Sequence, residues 1–147
     1  MKRIRYVSEF VTAMTPQQID ELARKAAKNN ERSDITGMLV ASGQLFFQLI
    51  EGPDEAIDSL FARILVDDRH HNVLVLRTEQ GDLKRVCPDW AMRKADLSLA
   101  SDARFEPIKA ILKAILGQRS LIQDLSETLE RVMWRELIDA EVDSLRS

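Results

Sequence analysis

Gln48 is the residue whose surroundings most strongly indicate chemistry, because it is an amide in an otherwise apolar strand. In the run from Leu45 to Gly52, strand alternation puts Phe46, Gln48 and Ile50 on one face. The other face is also apolar, so both faces are expected to be covered. A buried amide without partners costs roughly 1–3 kcal/mol. Gln48 both donates and accepts hydrogen bonds, so we expect its partners in the chain or in a ligand.

Three further residues bear on those partners. Tyr6, the chain's single tyrosine, lies in the first apolar segment, and Trp90 and Met92 lie in the last predicted strand. A strand would place Trp90 and Met92 on the same side, two residues apart. Met92 suits a position that must adapt, because its side chain is flexible. Taken singly, each of these residues is more often structural, so only their joint occurrence indicates function.

Two helices are predicted to cover the sheet. Thr15 as N-cap, Pro16 at the first helical position and Gln18 completing a capping box predict where the first helix begins. This helix is expected to end near residues 29–30, and the alanines on its inner face leave room for a flat group. The second helix carries an apolar stripe at helical spacing over residues 57–65.

The strands are predicted at residues 2–9, 34–41, 45–51, 73–76 and 90–96, with the fourth fully buried. Together with the helices they predict an α+β fold, a ferredoxin-like βαββαββ sandwich with both helices on one face of the sheet. We expect a core domain at 1–99 and a C-terminal helical extension at 100–147. In the extension, Ser101-Asp102 is expected to begin one helix and Gly117 to end it before a second.

Composition excludes several function classes. Lys and Arg number 21 against 24 Asp and Glu, and the net charge of −3 gives no support to binding of nucleic acid or of an anionic membrane. No apolar run approaches the length that crosses a bilayer. The one cysteine, Cys87, fits a reducing cytoplasm. His70-His71 are adjacent and join no metal-ligand spacing, so we expect no metal site.

The motifs taken together resemble the BLUF family, the blue-light sensors that hold a flavin without a covalent bond. The resemblance runs from about Lys2 to Leu97, and the sensor domains of light-activated adenylate cyclases look most similar. The family usually has proline where this chain has Asp68, a change that should alter the loop more than the site. The segments that carry the resemblance are Tyr6, Asn29-Asn30, Ile35-Thr36-Gly37, Phe46-Phe47-Gln48, Glu51-Gly52, Ile64-Leu65-Val66-Asp67-Asp68-Arg69-His70 and Pro88-Asp89-Trp90-Ala91-Met92.

The resemblance implies that a flavin lies between the core helices, above the sheet. Asn30 would hydrogen-bond the pyrimidine edge of the ring, and Arg69 would lie near a ring carbonyl. FAD is the first expectation, with FMN and riboflavin as alternatives. The other cofactor-binding residues that the resemblance implies are Asn29, Asp67 and His70, near the ring or its side chain, and the apolar walls Leu22, Leu39, Phe46 and Ile64.

The resemblance also implies a photocycle carried by Tyr6 and Gln48, with Trp90 and Met92 beside them. A tyrosine can give an electron to an excited flavin, and its phenol proton can follow. Gln48 can relay between phenol and flavin, since rotation or tautomerisation of the amide exchanges what it presents to each neighbour. Two hydrogen-bond patterns of similar energy make a bistable element. We expect the signal to leave through the last strand toward the C-terminal helices, a homodimer partner and a downstream protein or effector domain.

Three functions are therefore compared. The first is a blue-light photoreceptor, which is a photosensory module and not an enzyme. The second is the truncated regulatory domain of a light-activated nucleotide cyclase. The third is a BLUF-shaped interaction domain that no longer senses light. Retention of Tyr6, Gln48 and Asn30 argues against the third, since a domain that does not sense light would have no need of these buried polar side chains.

Overall fold

A mixed β-sheet forms one half of the core. The computed structural model describes residues 1–96 and 106–146, and within these ranges five strands form one sheet. From edge to edge the order is β4, β1, β3, β2, β5, with β5 parallel to β2 and the other neighbouring pairs antiparallel. This arrangement confirms the predicted ferredoxin-like α+β sandwich. The strands are β1 (Lys2–Phe10), β2 (Thr36–Ser42), β3 (Leu45–Gly52), β4 (His70–Gln80) and β5 (Arg93–Asp96).

Helices α1 (Pro16–Arg32) and α2 (Asp54–Leu65) contribute the other half of the core. The predicted capping box is present: the Gln18 N–H donates to Thr15 Oγ1 at 3.2 Å, and the Thr15 N–H donates to Gln18 Oε1 at 2.8 Å. α1 continues to Arg32, slightly beyond its predicted end. The buried core joins Ile19 and Ala23 of α1 and Ile57 of α2 to side chains from β1, β2 and β3.

Two strand predictions were wrong. The fourth strand was predicted to be buried, yet the side chains of Val75 and Leu76 are 42% and 39% exposed. The physical reason is position, since β4 is an edge strand that pairs only with β1 among the described residues. The last strand was predicted over 90–96, but β5 begins at Arg93, so Trp90 and Met92 lie in the irregular segment before it.

The C-terminal part contains one long helix within the described residues, α3 (Glu106–Arg146). Gly117 lies inside this helix, so the predicted break there was wrong; a glycine costs a helix interior only about 1 kcal/mol.

The chain divides into two compact units, Met1–Glu106 and Pro107–Ser147. The predicted boundary at 99/100 and the predicted helix start at Ser101-Asp102 lie outside the described residues. Among the helices that the structure describes, none combines the length and apolarity needed to cross a membrane.

Gly37 in β2 is required by a close approach of the backbone. A Cβ atom at this position would lie 2.3 Å from the carbonyl oxygen of Leu49 in β3. We expect Gly37→Ala to lower the free energy of unfolding by roughly 1–3 kcal/mol, the usual cost of forcing extra atoms into a packed region. Gly117→Ala is the matched control, because its added Cβ meets nothing within 4 Å and should stabilise α3 by about 1 kcal/mol. Chemical denaturation of both variants checks the opposite signs, and equal effects would contradict them.

Candidate functional site

A cavity of about 190 Å³ lies between α1, α2 and the sheet. One water needs only about 10–15 Å³ measured in the same way, so the cavity has room for a ring-sized ligand. Of the residues that the sequence predicts for the site, all except Trp90 lie around this cavity. They are Tyr6, Leu22, Asn29, Asn30, Leu39, Phe46, Gln48, Ile64, Asp67, Arg69, His70 and Met92.

Six further residues line the cavity: Phe10, Ala23, Lys25, Ala26, Leu60 and Arg63. Ala23 and Ala26 belong to the alanine face of α1 that was predicted to leave room for a flat group, whereas the other four were not assigned to the site. Helical spacing could have found some of them. Lys25 precedes Asn29 by four positions on α1, and Leu60 precedes Ile64 by four positions on α2, so each pair shares a helix face. Lys25 and Arg63 add positive charge to a cavity that is otherwise mainly apolar.

The centre of the site is a hydrogen bond between neighbouring strands. Tyr6 on β1 lies directly opposite Gln48 on β3, and its hydroxyl donates to Gln48 Oε1. Both side chains are buried, with exposures of 1% and 6%. The amide nitrogen Nε2 of Gln48 lies 3.7 Å from Met92 Sδ. A thioether is a weak acceptor and an amide carries two N–H groups, so Gln48 retains capacity to donate to a ligand.

The phenol of Tyr6 is held neutral by its surroundings. The ring packs edge-on against Phe61 at a centroid distance of 5.5 Å and also lies near Phe46. Burial raises the pKa of Tyr6 far above its ordinary value, and the negative charge of Asp67 adds to the effect. A neutral phenol can donate, which agrees with the direction of its bond to Gln48.

Asn30 connects the end of α1 to the segment before β5. It is 3% exposed, and its Nδ2 donates to the carbonyl oxygen of Ala91 at 2.8 Å. One residue earlier, the carbonyl of Trp90 accepts a 2.8 Å bond from the Gly37 N–H of β2. The Trp90 ring lies under the guanidinium of Arg93, whose Cζ is 4.7 Å from the ring centroid. Met92 contacts Gln48 and lines the cavity, whereas Trp90 is not among the described residues that line it.

Charged and polar groups form one rim of the cavity. Arg69 Nε donates to Asp67 Oδ1 at 2.9 Å and to Oδ2 at 3.0 Å. These bonds lower the pKa of Asp67 to about 2, so the carboxylate is ionised at neutral pH. His70 contacts Ser8 Oγ through Nδ1 at 2.9 Å and the Ile64 carbonyl through Nε2 at 3.0 Å. A carbonyl only accepts, so Nε2 of His70 carries a hydrogen.

This combination fits a flat heteroaromatic ring with polar edges. Leu22, Leu39 and Ile64 supply apolar walls, while the amides of Asn30 and Gln48 supply polar groups. Such pockets, mostly apolar with a few placed polar groups, are typical of cofactor sites. In the described part of the chain no group of His, Cys, Asp and Glu side chains is arranged to hold a metal ion.

Comparison with known proteins identifies the family. The family model described as "BLUF: Sensors of blue-light using FAD" matches residues 1–93. This chain belongs to the BLUF family. Its matched region is a photosensory module that uses a flavin to sense blue light, and it is not a catalytic domain.

The relatives include light-regulated cyclases. A photoactivated adenylate cyclase subunit beta of Euglena longa is 35% identical over 117 residues, which is 78% of this chain and 13% of that protein. A solved bacterial light-regulated adenylyl cyclase matches with a TM-score of 0.77 and 37% identity, covering 84% of this chain and 36% of the other. The BLUF protein BlrB in its dark state matches with a TM-score of 0.62 and 34% identity, covering 73% and 82%. This chain therefore spans only a small part of the cyclases that it resembles.

The buried environment of Tyr6 leads to a prediction about how the stability of the protein depends on pH. Because its folded-state pKa is raised above the unfolded value of about 10, Tyr6 should not ionise in the native protein near pH 10. The unfolded state would lose the proton there, so stability is retained below about pH 10 and falls as the pH rises further. Ultraviolet difference absorbance, with circular dichroism for folding, should show tyrosinate appearing only as the protein unfolds. Tyrosinate near pH 10 in folded protein would contradict the raised pKa of Tyr6.

Proposed function

We propose that this chain is a light switch in which the hydrogen bond between Tyr6 and Gln48 is the element that changes. The observation that carries the proposal is the direct pairing of a buried phenol with a buried amide on opposite strand positions. The flavin of the family would occupy the cavity beside this pair. FAD is the expected form, and FMN and riboflavin are alternatives for this chain.

The cavity residues divide into those that hold the ring and those that contact its edge. Leu22, Leu39, Phe46 and Ile64 would pack against the faces of the ring. Asn30 and Asn29 would lie at one polar edge, and Arg69 with its ionised partner Asp67 would lie near a ring carbonyl or the ribityl chain. His70, fixed by Ser8 and the Ile64 carbonyl, would limit the depth of the pocket.

The change begins at Tyr6. When bound, the flavin supplies blue-light absorption and an excited ring that accepts an electron. A phenol that has lost an electron becomes strongly acidic, and Gln48 Oε1 already accepts its hydrogen bond, so the proton passes along that bond. When the electron and proton return, Tyr6 is restored and only the orientation or tautomer of the Gln48 amide has changed.

The new state is kept because the amide has two acceptable arrangements. In the present one, the oxygen of Gln48 faces Tyr6 and its nitrogen faces Met92. Rotation or tautomerisation exchanges the donor and acceptor that these neighbours meet, in a pocket from which water is largely excluded. An arrangement of similar energy then persists until thermal motion reverses it. Trp90 and Met92 belong to the segment that would respond, Met92 by direct contact and Trp90 as its neighbour.

The signal would leave through Met92 and β5 toward α3 and a partner. α3 carries many exposed apolar side chains, which a second copy of the chain would cover, so we assign a homodimer. A downstream protein or effector domain would read the change, and the chain's single thiol fits the reducing cytoplasm as its compartment. The exposed apolar residues of α3 between residues 121 and 145 are Leu121, Ile122, Leu125, Leu129, Val132, Met133, Trp134, Leu137, Ile138, Val142 and Leu145.

A second candidate is a regulatory domain of a light-activated nucleotide cyclase. The supporting observation is that the similarity to cyclases covers 78–84% of this chain and so extends beyond the sensor match at residues 1–93. Reading the coding sequence downstream of Ser147 tests this candidate. An in-frame cyclase domain would support it, and an immediate stop codon would exclude a cyclase domain that follows the sensor in the same polypeptide.

The photocycle is tested by visible spectra of the purified yellow protein before and after blue illumination. We expect a small, reversible red shift that is lost in Tyr6→Phe and in Gln48→Leu, while both variants keep their flavin. Each removes one partner of the central hydrogen bond and leaves the apolar walls in place. Gln44→Leu is the matched control, since Gln44 is exposed in the turn between β2 and β3 and should keep the shift.

Two results would contradict the assignment. Colourless protein that takes up no added flavin would remove the sensor function. A normal red shift in Tyr6→Phe or Gln48→Leu would leave the sensor in place but remove that residue from the switch.

The homodimer is tested by sedimentation velocity over a range of protein concentrations. Leu129→Lys should weaken dimerisation roughly a hundredfold, because two buried leucines are lost per dimer. Glu127→Lys, on the same exposed helix, adds the same side chain without removing apolar area and should change the dissociation constant much less. A wild-type chain that stays monomeric at all concentrations would refute the homodimer.

A further inference from the structure

A buried ion pair ties the sheet to the segment before β5, residues 85–92. Arg3 of β1 lies opposite Glu51 of β3, and Arg3 Nε donates to Glu51 Oε2 at 2.8 Å. Their side chains are 7% and 0% exposed. Since Glu51 is three positions from Gln48 on the same strand, the two side chains point to opposite faces of the sheet. The proposed photocycle uses neither Arg3 nor Glu51, so this pair requires its own explanation.

The Glu51 carboxylate holds the backbone of the segment directly. It accepts hydrogen bonds from the N–H of Val86 at 3.0 Å and from the N–H of Cys87 at 2.6 Å. Burial alone would raise the pKa of Glu51, but these backbone bonds and Arg3 outweigh it, and the pKa lies below its usual value. The group is therefore a carboxylate at neutral pH, with both oxygens used as acceptors.

Arg85 makes a second attachment at the same place. Its guanidinium donates to the Asp34 carbonyl at 2.9 Å and to Thr36 Oγ1 at 2.9 Å, both near the start of β2. It also pairs with the Asp34 carboxylate at 3.1 Å. Glu51 and Arg85 thus fix the first half of the segment from two directions.

The second half of the same segment reaches the cavity. The Trp90 carbonyl accepts from Gly37, the Ala91 carbonyl accepts from Asn30, and Met92 Sδ lies against Gln48 Nε2. Between Cys87 and Met92 there is no regular secondary structure. Where Met92 lies therefore depends on attachments at both ends of a short irregular stretch.

We propose that Glu51, supported by Arg85, is a positioning residue that sets the contact between Met92 and Gln48 and thereby the lifetime of the lit state. The proposal rests on the proposed function, because it assigns a role within that photocycle. The Met92 contact favours the present orientation of the amide. A looser segment would weaken this preference for the present orientation. The return of the amide from its lit arrangement to the present one would then be slower.

Cys87 provides a direct measurement of how tightly the segment is held. It is the chain's only cysteine and is 1% exposed, so an aromatic disulfide reagent reaches its thiol only when the segment opens. In the flavin-loaded protein we expect Glu51→Gln to raise the dark labelling rate at least tenfold. A glutamine side chain presents an NH₂ group where one of the two backbone N–H groups now finds an oxygen. We expect dark recovery in the same variant to be about threefold slower.

Arg85→Ala separates opening of the segment from the reactivity of the thiol. Burial raises the pKa of Cys87, and the charge of Glu51 adds to that effect, so Glu51→Gln also makes the thiol more reactive. Arg85→Ala keeps the Glu51 carboxylate, and the loss of a positive charge does not favour ionisation of the thiol. Faster labelling in this variant therefore reports opening of the segment. It also keeps the test usable if Glu51→Gln does not fold. We expect changes in the same direction in both variants.

Glu79→Gln is the matched control. Glu79 Oε2 accepts from Arg3 Nη1 at 2.8 Å, so this variant removes a partner of the same arginine and leaves the bonds from Val86 and Cys87 intact. Labelling and recovery should both stay close to wild type. Equal effects in Glu79→Gln and Glu51→Gln would overturn the specific role of Glu51.

The remaining outcomes each decide the proposal. Unchanged labelling would show that the tether does not hold the segment and would overturn it. Faster labelling with unchanged recovery in both variants would make the tether purely structural and would also overturn it. If the wild-type protein itself shows no light response, the proposed function fails first, and the lifetime role falls with it. That failure is visible without any variant.

Discussion

The alignment of two antiparallel strands is the constraint on which the site depends. Tyr6 and Gln48 meet because β1 and β3 are paired with these residues opposite each other. A shift of one residue would turn every side chain of one strand to the other face. The backbone ladder therefore fixes the distance between phenol and amide, and the side chains have little freedom to separate. Because the pair is almost fully buried, water is a poor competitor for either partner.

The cavity is completed by pieces that are distant in the sequence. α1 contributes Asn30, which in turn holds Ala91, and Met92 then follows against Gln48. Family membership at residues 1–93 agrees with this, since the match ends just after Met92. The proposed flavin site and the segment proposed to respond to it are thus a single connected set of contacts. The proposed change at the Gln48 amide would have a short route to the rest of the chain.

Local signals made much of the fold predictable. The capping box of Thr15 and Gln18 depends on residues close in sequence. Strand alternation placed Gln48 on the same face as Phe46 and Ile50, and all three side chains are buried. Predictions failed where distant contacts decide. Trp90 and Met92 fit an alternating strand, yet bonds from Gly37 and Asn30 hold an irregular path there. The attachment of Val86 and Cys87 to Glu51 left no local signal, because its partners lie more than thirty positions apart.

The interior position of β1 in the sheet has a consequence for how the protein is made. β1 pairs with β3 and with β4, so the earliest strand to be synthesised waits for partners that are translated much later. Contacts of such long sequence separation slow folding, since loop entropy is paid before they form. The pocket is complete only once Met92 has emerged from the ribosome. Capture of a flavin in the proposed site would therefore be a late event in biogenesis, and a nascent chain that stalls before that point would expose its unpaired β1 edge to aggregation.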